Sequence, residues 1–199
     1  EFRTPLAVLK TRIGLFRKKQ DFAPQTTEAF LSIMESEVDR LSGMVDSLLK
    51  LTNLEQVPRS DRTKLGELLH QAAEDVSPLA AKKGIAILVE ASPGTITGSR
   101  ELLRRALFNL VENAVKYNHE EGWVHVTLDA DHKFFYVKVS DNGIGISQED
   151  QEHVFERFYR VDKARSRETG GTGLGLAIVK HIVARNGARM ELASEVGKG

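Results

Sequence analysis

Gly170-Gly171-Thr172-Gly173-Leu174-Gly175-Leu176-Ala177-Ile178-Val179-Lys180 is the stretch whose reading decides the fold. Glycines leave backbone N–H groups unshielded, so a phosphate oxygen can approach them closely. The apolar run Leu174–Val179 follows with no polar spacer. This pattern describes a loop entering a buried helix, whose N-terminal end favours an anion. Ordinary turn chemistry gives the same glycines, so the stretch by itself leaves phosphate binding and a plain turn both open. The remainder of the chain has to decide between them.

Composition narrows the field. The chain has 199 residues, 41% hydrophobic and 28% charged, with formal net charge +0. That length holds one large or two small domains, and the apolar fraction supports a real core. Without a basic excess, nucleic acid is not the expected partner. There is no cysteine, which excludes disulfides and thiolate metal sites. No apolar run reaches the ~18 residues needed to span a bilayer, and no signal peptide is visible. The chain has no initiator Met and opens inside a helical pattern, as expected of a piece of a longer protein.

At the amino end, Leu6, Leu9, Ile13 and Phe16 recur at spacings of three and four, which predicts a helix over 1–19 with a narrow apolar stripe. Pro5 either starts or bends it. Gln20–Gln25 reads as a loop in which Pro24 stops regular structure and Thr26 or Thr27 caps the next helix. Leu31, Met34, Val38, Leu41, Val45 and Leu48 then keep a 3-4-3-4-3 spacing, the seam of a coiled coil on a helix over 27–54, roughly 40 Å long. Two such helices make an antiparallel hairpin. Its seam is completed either by a second copy, giving a four-helix bundle, or by the following domain; the long, narrow, regular stripe favours the homodimer.

Glu55–Arg62 is polar, contains Pro58 and breaks the periodicity, which places the domain boundary between 1–56 and 57–199. Beyond it the pattern predicts helix 65–83 closed by Gly84, strands at 85–91 and 95–97, and a long helix over 100–117. Strands at 123–129 and 133–140, a short helix near 148–154, a helix from 172 to 186 and a strand at 189–194 follow. Helices segregated from strands give an α+β sandwich, with helices on one face of a mostly antiparallel sheet. Gly197-Lys198-Gly199 reads as a turn before a further strand.

Three clusters can converge on the glycine loop. Asn109, Asn113, Lys116 and Tyr117 fall at i, i+4, i+7 and i+8 and share one helix face, where amides, a cation and a ring can address a metal ion, a phosphate and a heterocycle. A solvated face is the alternative, but Leu110, Val111 and Ala114 crowd them, and buried amides need partners. Asp141-Asn142-Gly143-Ile144-Gly145-Ile146 ends a strand. It offers a carboxylate for an exocyclic amine beside glycines that admit a flat ring, or simply an Asx turn. Phe155-Glu156-Arg157-Phe158-Tyr159-Arg160 opens a basic polar stretch, either a lid meeting phosphates or a charged surface loop.

In this order and spacing the clusters resemble the N, G1, F and G2 boxes of sensor histidine kinases, whose ATP-binding domain is shared with gyrase, heat-shock-protein-90 and MutL ATPases. The resemblance spans about Ser60–Gly199. Glu1-Phe2-Arg3-Thr4-Pro5-Leu6 resembles the H box, His-Glu-x-x-Thr-Pro-Leu. The resemblance implies a dimerisation and histidine-phosphotransfer hairpin, a four-helix bundle on dimerisation, followed by a catalytic domain of the Bergerat ATPase fold. No Walker G-x-x-x-x-G-K-[ST] match exists, in agreement.

Carried over by resemblance, Asn113 ligates Mg²⁺ with Asn109 beside it, Lys116 contacts phosphate and Tyr117 lies near the nucleoside. Asp141 accepts from the adenine amino group, Gly143 and Gly145 shape the pocket, and Arg160 meets phosphate from the lid. Gly171, Thr172, Gly173, Leu174 and Gly175 form the loop beside the β- and γ-phosphates. ATP and Mg²⁺ are the implied cofactors, and all-oxygen ligation suits that ion. The family's phosphoacceptor histidine precedes Glu1 and is not in this sequence. Either the sequence begins one residue after it or the histidine is absent; the intact Glu1–Leu6 favours the former. None of the six histidines replaces it. The resemblance assigns Glu1 as the histidine's general base and Thr4 to positioning water for dephosphorylation, both on one helical face.

The resemblance thus implies an ATP-dependent protein-histidine kinase. It transfers phosphate to an aspartate of a response regulator receiver domain, also acts as a phosphatase, and is the cytoplasmic part of a membrane sensor. A gyrase-type hydrolase is the competing reading. It is disfavoured because Asn109 stands where such ATPases carry a water-activating Glu. Glu112 lies about 100° around the helix from Asn113 and is a poor replacement. A non-catalytic dimer scaffold is disfavoured by the intact boxes.

Overall fold

The structure, a computed structural model, describes residues 3–19, 24–53, 57–58, 60–161 and 172–199. It divides into two compact units, Glu1–Thr52 and Asn53–Gly199.

The first unit consists of α1 (Arg3–Lys19) and α2 (Pro24–Asn53). Pro24 opens α2 where the sequence reading has it stop regular structure. A proline at the first helical position lacks only an N–H that would be unpaired there anyway, and its φ is already helical. Phe16 of α1 stacks on Phe30 of α2, with ring centroids 4.2 Å apart. The seam is split. Met34 and Leu41 are half-buried, whereas Leu31, Val38 and Val45 keep 52%, 50% and 46% of their surface exposed.

The second unit contains β1 (Arg62–Lys64), α3 (Leu65–Lys82), β2 (Ala86–Ala91), β3 (Thr95–Thr97), α4 (Arg100–Lys116), β4 (Trp123–Ala130), β5 (Phe135–Asp141), α5 (Gln148–Gln151) and α6 (Gly175–Arg185). Its main sheet runs β2-β4-β5, with β2 parallel and β5 antiparallel to β4; β1 and β3 form a separate antiparallel pair. The main sheet is therefore mixed. Alternation in β4 sends Val124, Val126 and Leu128 inward. They meet Leu68, Leu69 and Ala72 of α3 and Leu107, Val111, Ala114 and Val115 of α4 in one core. The fold is an all-α hairpin followed in the chain by an α+β sandwich.

Local chemistry explains the boundaries that position the site. Pro78 lies inside α3, and the Glu74 carbonyl it strands is taken up by the Ser77 hydroxyl at 2.8 Å. The helix ends with Gly84 at φ +65, its N–H bonded to Ala81 O while Ile85 N bonds Ala80 O, a Schellman closure. At the start of α4 the Ser99 hydroxyl accepts from Leu102 N, and the Asp61 carboxylate accepts from Arg100 N.

Two elements depart from the sequence reading. β1 is not expected from the sequence, where the polar linker runs to Arg62 and the next element starts at Leu65; its strand character comes from pairing Thr63 with Ile96, a long-range contact. Conversely, 189–194 is not a strand. Its apolar–polar alternation satisfies the local pattern, yet no ladder forms on it among the described residues, and the last residue alone is tied down, at Ser194. A strand needs a partner as well as a pattern.

Candidate functional site

The C-terminal half of α4 carries Asn109, Asn113 and Lys116 on one face, with Tyr117 as its C-cap. All four are half-buried. Asn109 Nδ2 donates to Arg105 O at 2.9 Å, which turns its amide oxygen outward from the helix. Gly175, the first residue of α6, lies against that oxygen: a Cβ there would sit 3.3 Å from Asn109 Oδ1 and 3.9 Å from the Asn113 amide. The glycine loop and the two asparagines therefore share one small space that any larger residue at 175 would begin to fill.

Lys116 is partly desolvated, and burial is the main cause pushing its pKa down; Glu112 opposes the shift, and the nearby charges of Arg160 and Lys83 add to it. Arg160 is thus brought to the lysine from a segment far along the chain. The Lys116 ammonium also lies 5.8 Å from the Tyr117 ring centroid.

Asp141 closes β5 and is half-buried. One of its oxygens accepts from Gly143 N at 2.8 Å, so the Asx turn is real. Burial raises its pKa, while the bond from Gly143 pulls the other way. A carboxylate has a second oxygen, so the turn does not exhaust its capacity to accept. Gly143 is buried against Tyr117, where a Cβ would meet the Tyr117 carbonyl at 2.6 Å, and Ile144 N bonds that carbonyl at 3.1 Å. Gly145, at φ +67, is pressed against the Glu195 carbonyl.

Of the expected site residues, the structure gathers Asn109, Asn113 and Gly175 at one point, Lys116 and Arg160 at a second, and Tyr117, Asp141 and Gly143 at a third. All three lie along the last two turns of α4 and the loop it contacts. Thr172, Gly173 and Leu174 lead into α6, with Leu174 fully buried. Glu1, Gly171 and the residues 162–170 of the basic stretch lie outside the described residues, as does the side chain of Thr4, whose backbone is in α1.

Sequence reading missed the residues that hold this arrangement. The Lys83 ammonium donates to the carbonyls of Val115, Lys116 and Asn118, at 3.3, 2.6 and 3.3 Å, and so satisfies the end of α4 from another helix. Asn118 is buried, donates to Trp123 O and accepts from His119 N; Asn142 accepts from Trp123 N at 2.7 Å. A lysine just before a helix-ending glycine is a weak signal for such a role, and the other two carry none in sequence. A groove of about 760 Å³, lined by residues including Lys64, Glu67, His70, Glu74 and Pro93, shares no residue with this site.

A two-layer α+β unit with an asparagine helix, an Asx-turned aspartate and a glycine loop against the same helix defines an ATPase-type nucleotide domain. Residues 98–199 match the family model for histidine kinase-, DNA gyrase B-, and HSP90-like ATPases. Residues 1–57 match the His Kinase A (phospho-acceptor) domain. The chain belongs to the sensor histidine kinases of two-component systems, a family of ATP-dependent transferases. It is 38% identical over its whole length to the phosphate regulon sensor protein PhoR of Pseudomonas aeruginosa, of which it covers 46%. Among solved structures it is similar to full-length ShkA in complex with AMPPNP, at 30% identity and TM-score 0.67, covering 91% of this chain and 38% of that one. It is also similar to the histidine kinase ThkA in complex with the response regulator protein TrrA, at 25% identity and TM-score 0.64, covering 80% of this chain and 48% of that one. The chain spans about half the length of the curated relatives it matches. Among the described residues, no helix is long and apolar enough to cross a membrane.

Proposed function

We propose that this chain is the kinase core of a two-component sensor: it binds ATP with Mg²⁺, delivers the γ-phosphoryl group to a histidine, and passes it to an aspartate of a response regulator receiver domain. The observation that carries the reading is Gly175 seated against Asn109 and Asn113, with Lys116 one turn further along the same helix. In the first transfer a histidine ring nitrogen bonds to the γ-phosphorus as the bond to the bridging β,γ-oxygen breaks and ADP leaves. Lys116 and Arg160 hold the phosphates, and Asp141 accepts from the adenine amino group. Gly143 and Gly145 leave room for the ring, and Tyr117 lies beside the nucleoside. The backbone of Thr172–Gly175 flanks the terminal phosphates, continuing from Gly171.

The residues present fit magnesium. Gly175 keeps open a space bordered by Asn109 Oδ1 and the Asn113 amide, whose oxygen is the ligand assigned to the ion, and no cluster of three His, Cys, Asp or Glu among the described residues competes as a metal site. When bound, the ion supplies neutralisation of phosphate charge, keeping waters and phosphate oxygens as its other ligands.

Asn109 favours this reading over hydrolysis. Its amide is held to the Arg105 carbonyl and has no basic form at neutral pH, so it cannot activate water. Glu112 acts on Lys116, one turn along, instead. The exposed seam of Leu31, Val38 and Val45 supports a homodimer through the hairpin. The ThkA–TrrA complex supports a receiver domain as partner. Glu1 as general base and Thr4 as the residue orienting water for dephosphorylation complete the reading, as does a cytoplasmic position for this part of a membrane sensor.

The test is phosphoryl incorporation from γ-labelled ATP. With a histidine added directly before Glu1, the chain should acquire acid-labile, base-stable label; the chain without it should not. Equal labelling of both would defeat the assignment of the acceptor, and hydrolysis without labelling in the extended chain would favour the gyrase-type reading.

A further inference from the structure

α5 is a single turn, Gln148–Gln151, yet its side chains reach two of the segments that the nucleotide reading relies on, the loop after Asp141 and the residue before Arg160. Gln151 Nε2 donates to Ile146 O and to Ser194 O, both at 2.9 Å. Ser194 Oγ in turn accepts from Ile146 N at 2.8 Å and donates to Gly199 O at 3.0 Å, while Gly197 N bonds Ile144 O at 2.9 Å. The loop after Asp141 is thereby fixed along both its N–H and its carbonyl groups. On the other side, Asp150 uses both carboxylate oxygens: Oδ2 accepts from Ser147 Oγ at 2.5 Å and Oδ1 from the Tyr159 hydroxyl at 2.6 Å. Tyr159 immediately precedes Arg160. Phe158, held at φ +67, donates its N–H to Gly173 O at 2.8 Å, and a Cβ on Gly173 would come within 2.7 Å of the Phe158 carbonyl carbon.

We propose that Asp150 and Gln151 are positioning residues of the nucleotide site, setting its affinity through Tyr159 and through the Ile144–Ile146 backbone without touching the nucleotide. The proposal rests on the ATP-site reading given above. Two observations separate it from a general structural role. None of the residues in this network belongs to the hydrophobic core cluster, which lies between α3, α4 and the sheet. Every bond in it also ends on a segment that carries a nucleotide contact or on the chain that braces one. Losing such a bond should loosen the site while leaving the folded unit intact, because preorganised contacts lose affinity when their supports slacken. The two arms also run to different walls, Gln151 to the loop after Asp141 and Asp150 to the residue beside Arg160, so their effects should combine.

The test is calorimetric titration of Mg·ADP into the 199-residue chain, with thermal melts of the nucleotide-free proteins alongside. Gln151→Met keeps the packing and removes the donor; Tyr159→Phe removes only the hydroxyl. Each should weaken ADP binding about tenfold, and the double variant about a hundredfold, since Gln151→Met removes two hydrogen bonds at one wall and Tyr159→Phe one at the other. Nucleotide-free melting points should stay within about 2 °C of the parent. Asp150→Asn keeps an acceptor for the Tyr159 hydroxyl and leaves Ser147 Oγ to accept from the new NH₂ instead of donating, so it should bind within about twofold of the parent, whereas Asp150→Leu should fall about tenfold. Unchanged ADP affinity in Gln151→Met and Tyr159→Phe would overturn the proposal, as would losses matched by a large drop in melting point. A parent chain that binds no ADP would instead strike the nucleotide reading itself.

Discussion

The hairpin and the nucleotide unit solve the same problem, burying an apolar helix face, in opposite ways. In the second unit Leu68, Leu69 and Val111 have 0% of their surface exposed, because two helices close over a sheet within one chain. In the first, alternate seam residues of α2 stay half exposed, because two helices can cover only one side of each other. A self-sufficient core makes a rigid platform on which a site can be built. An open seam makes a surface whose stability depends on what joins it, and so one on which association can be regulated.

The largest expected effect lies in the closed core. Leu69→Ala should cost about 3 kcal/mol of the second unit's stability, measured by denaturant unfolding, because the site is fully enclosed and cannot collapse freely. A loss under about 1 kcal/mol would blur the contrast between the units. Val38→Asp should next weaken self-association at least tenfold by sedimentation while leaving the second unit's melt in place, since it puts a charge into a seam that only a partner dries. Unchanged association would remove the dimer argument. Ser99→Ala should cost about 1 kcal/mol in the second unit by deleting the α4 cap.

The smallest effect is a matter of sign. Burial raises the Asp141 pKa above its ordinary value of 3.8, so the folded state holds that proton more tightly than the unfolded one. This contribution to stability is present below the unfolded value and lost as pH rises through the folded value. At neutral pH without nucleotide, Asp141→Asn should therefore melt slightly higher than the parent, and the gain should vanish near pH 3. A lower melting point at pH 7 would show that the carboxylate serves the fold as well as the site.

Much of this was legible in sequence where the signal is local. The period of α2, the alternation in β4 and Gly84 after α3 each mark an element with a few residues. So were the four boxes, whose spacing places amides, aspartate and glycines in one order. What stayed hidden depends on distant partners. β1 exists because Thr63 finds Ile96, and 189–194 is no strand because no ladder forms on it. Lys83, Asn118, Gln151 and Ser194 act through backbone groups up to 48 residues away, which no spacing rule announces. Pro24 was misread for a subtler reason: the same ring that stops one helix is well suited to begin another.

The nucleotide site is the central claim, and paired calorimetry of the parent chain and Asp141→Asn with Mg·ATP tests it most directly. The account predicts saturable binding to the parent, at least tenfold weaker binding to Asp141→Asn, and no loss of fold in the variant, since an amide offers its NH₂ where the adenine amine needs an acceptor. Equal affinity in the two proteins, or no binding in either, would contradict it.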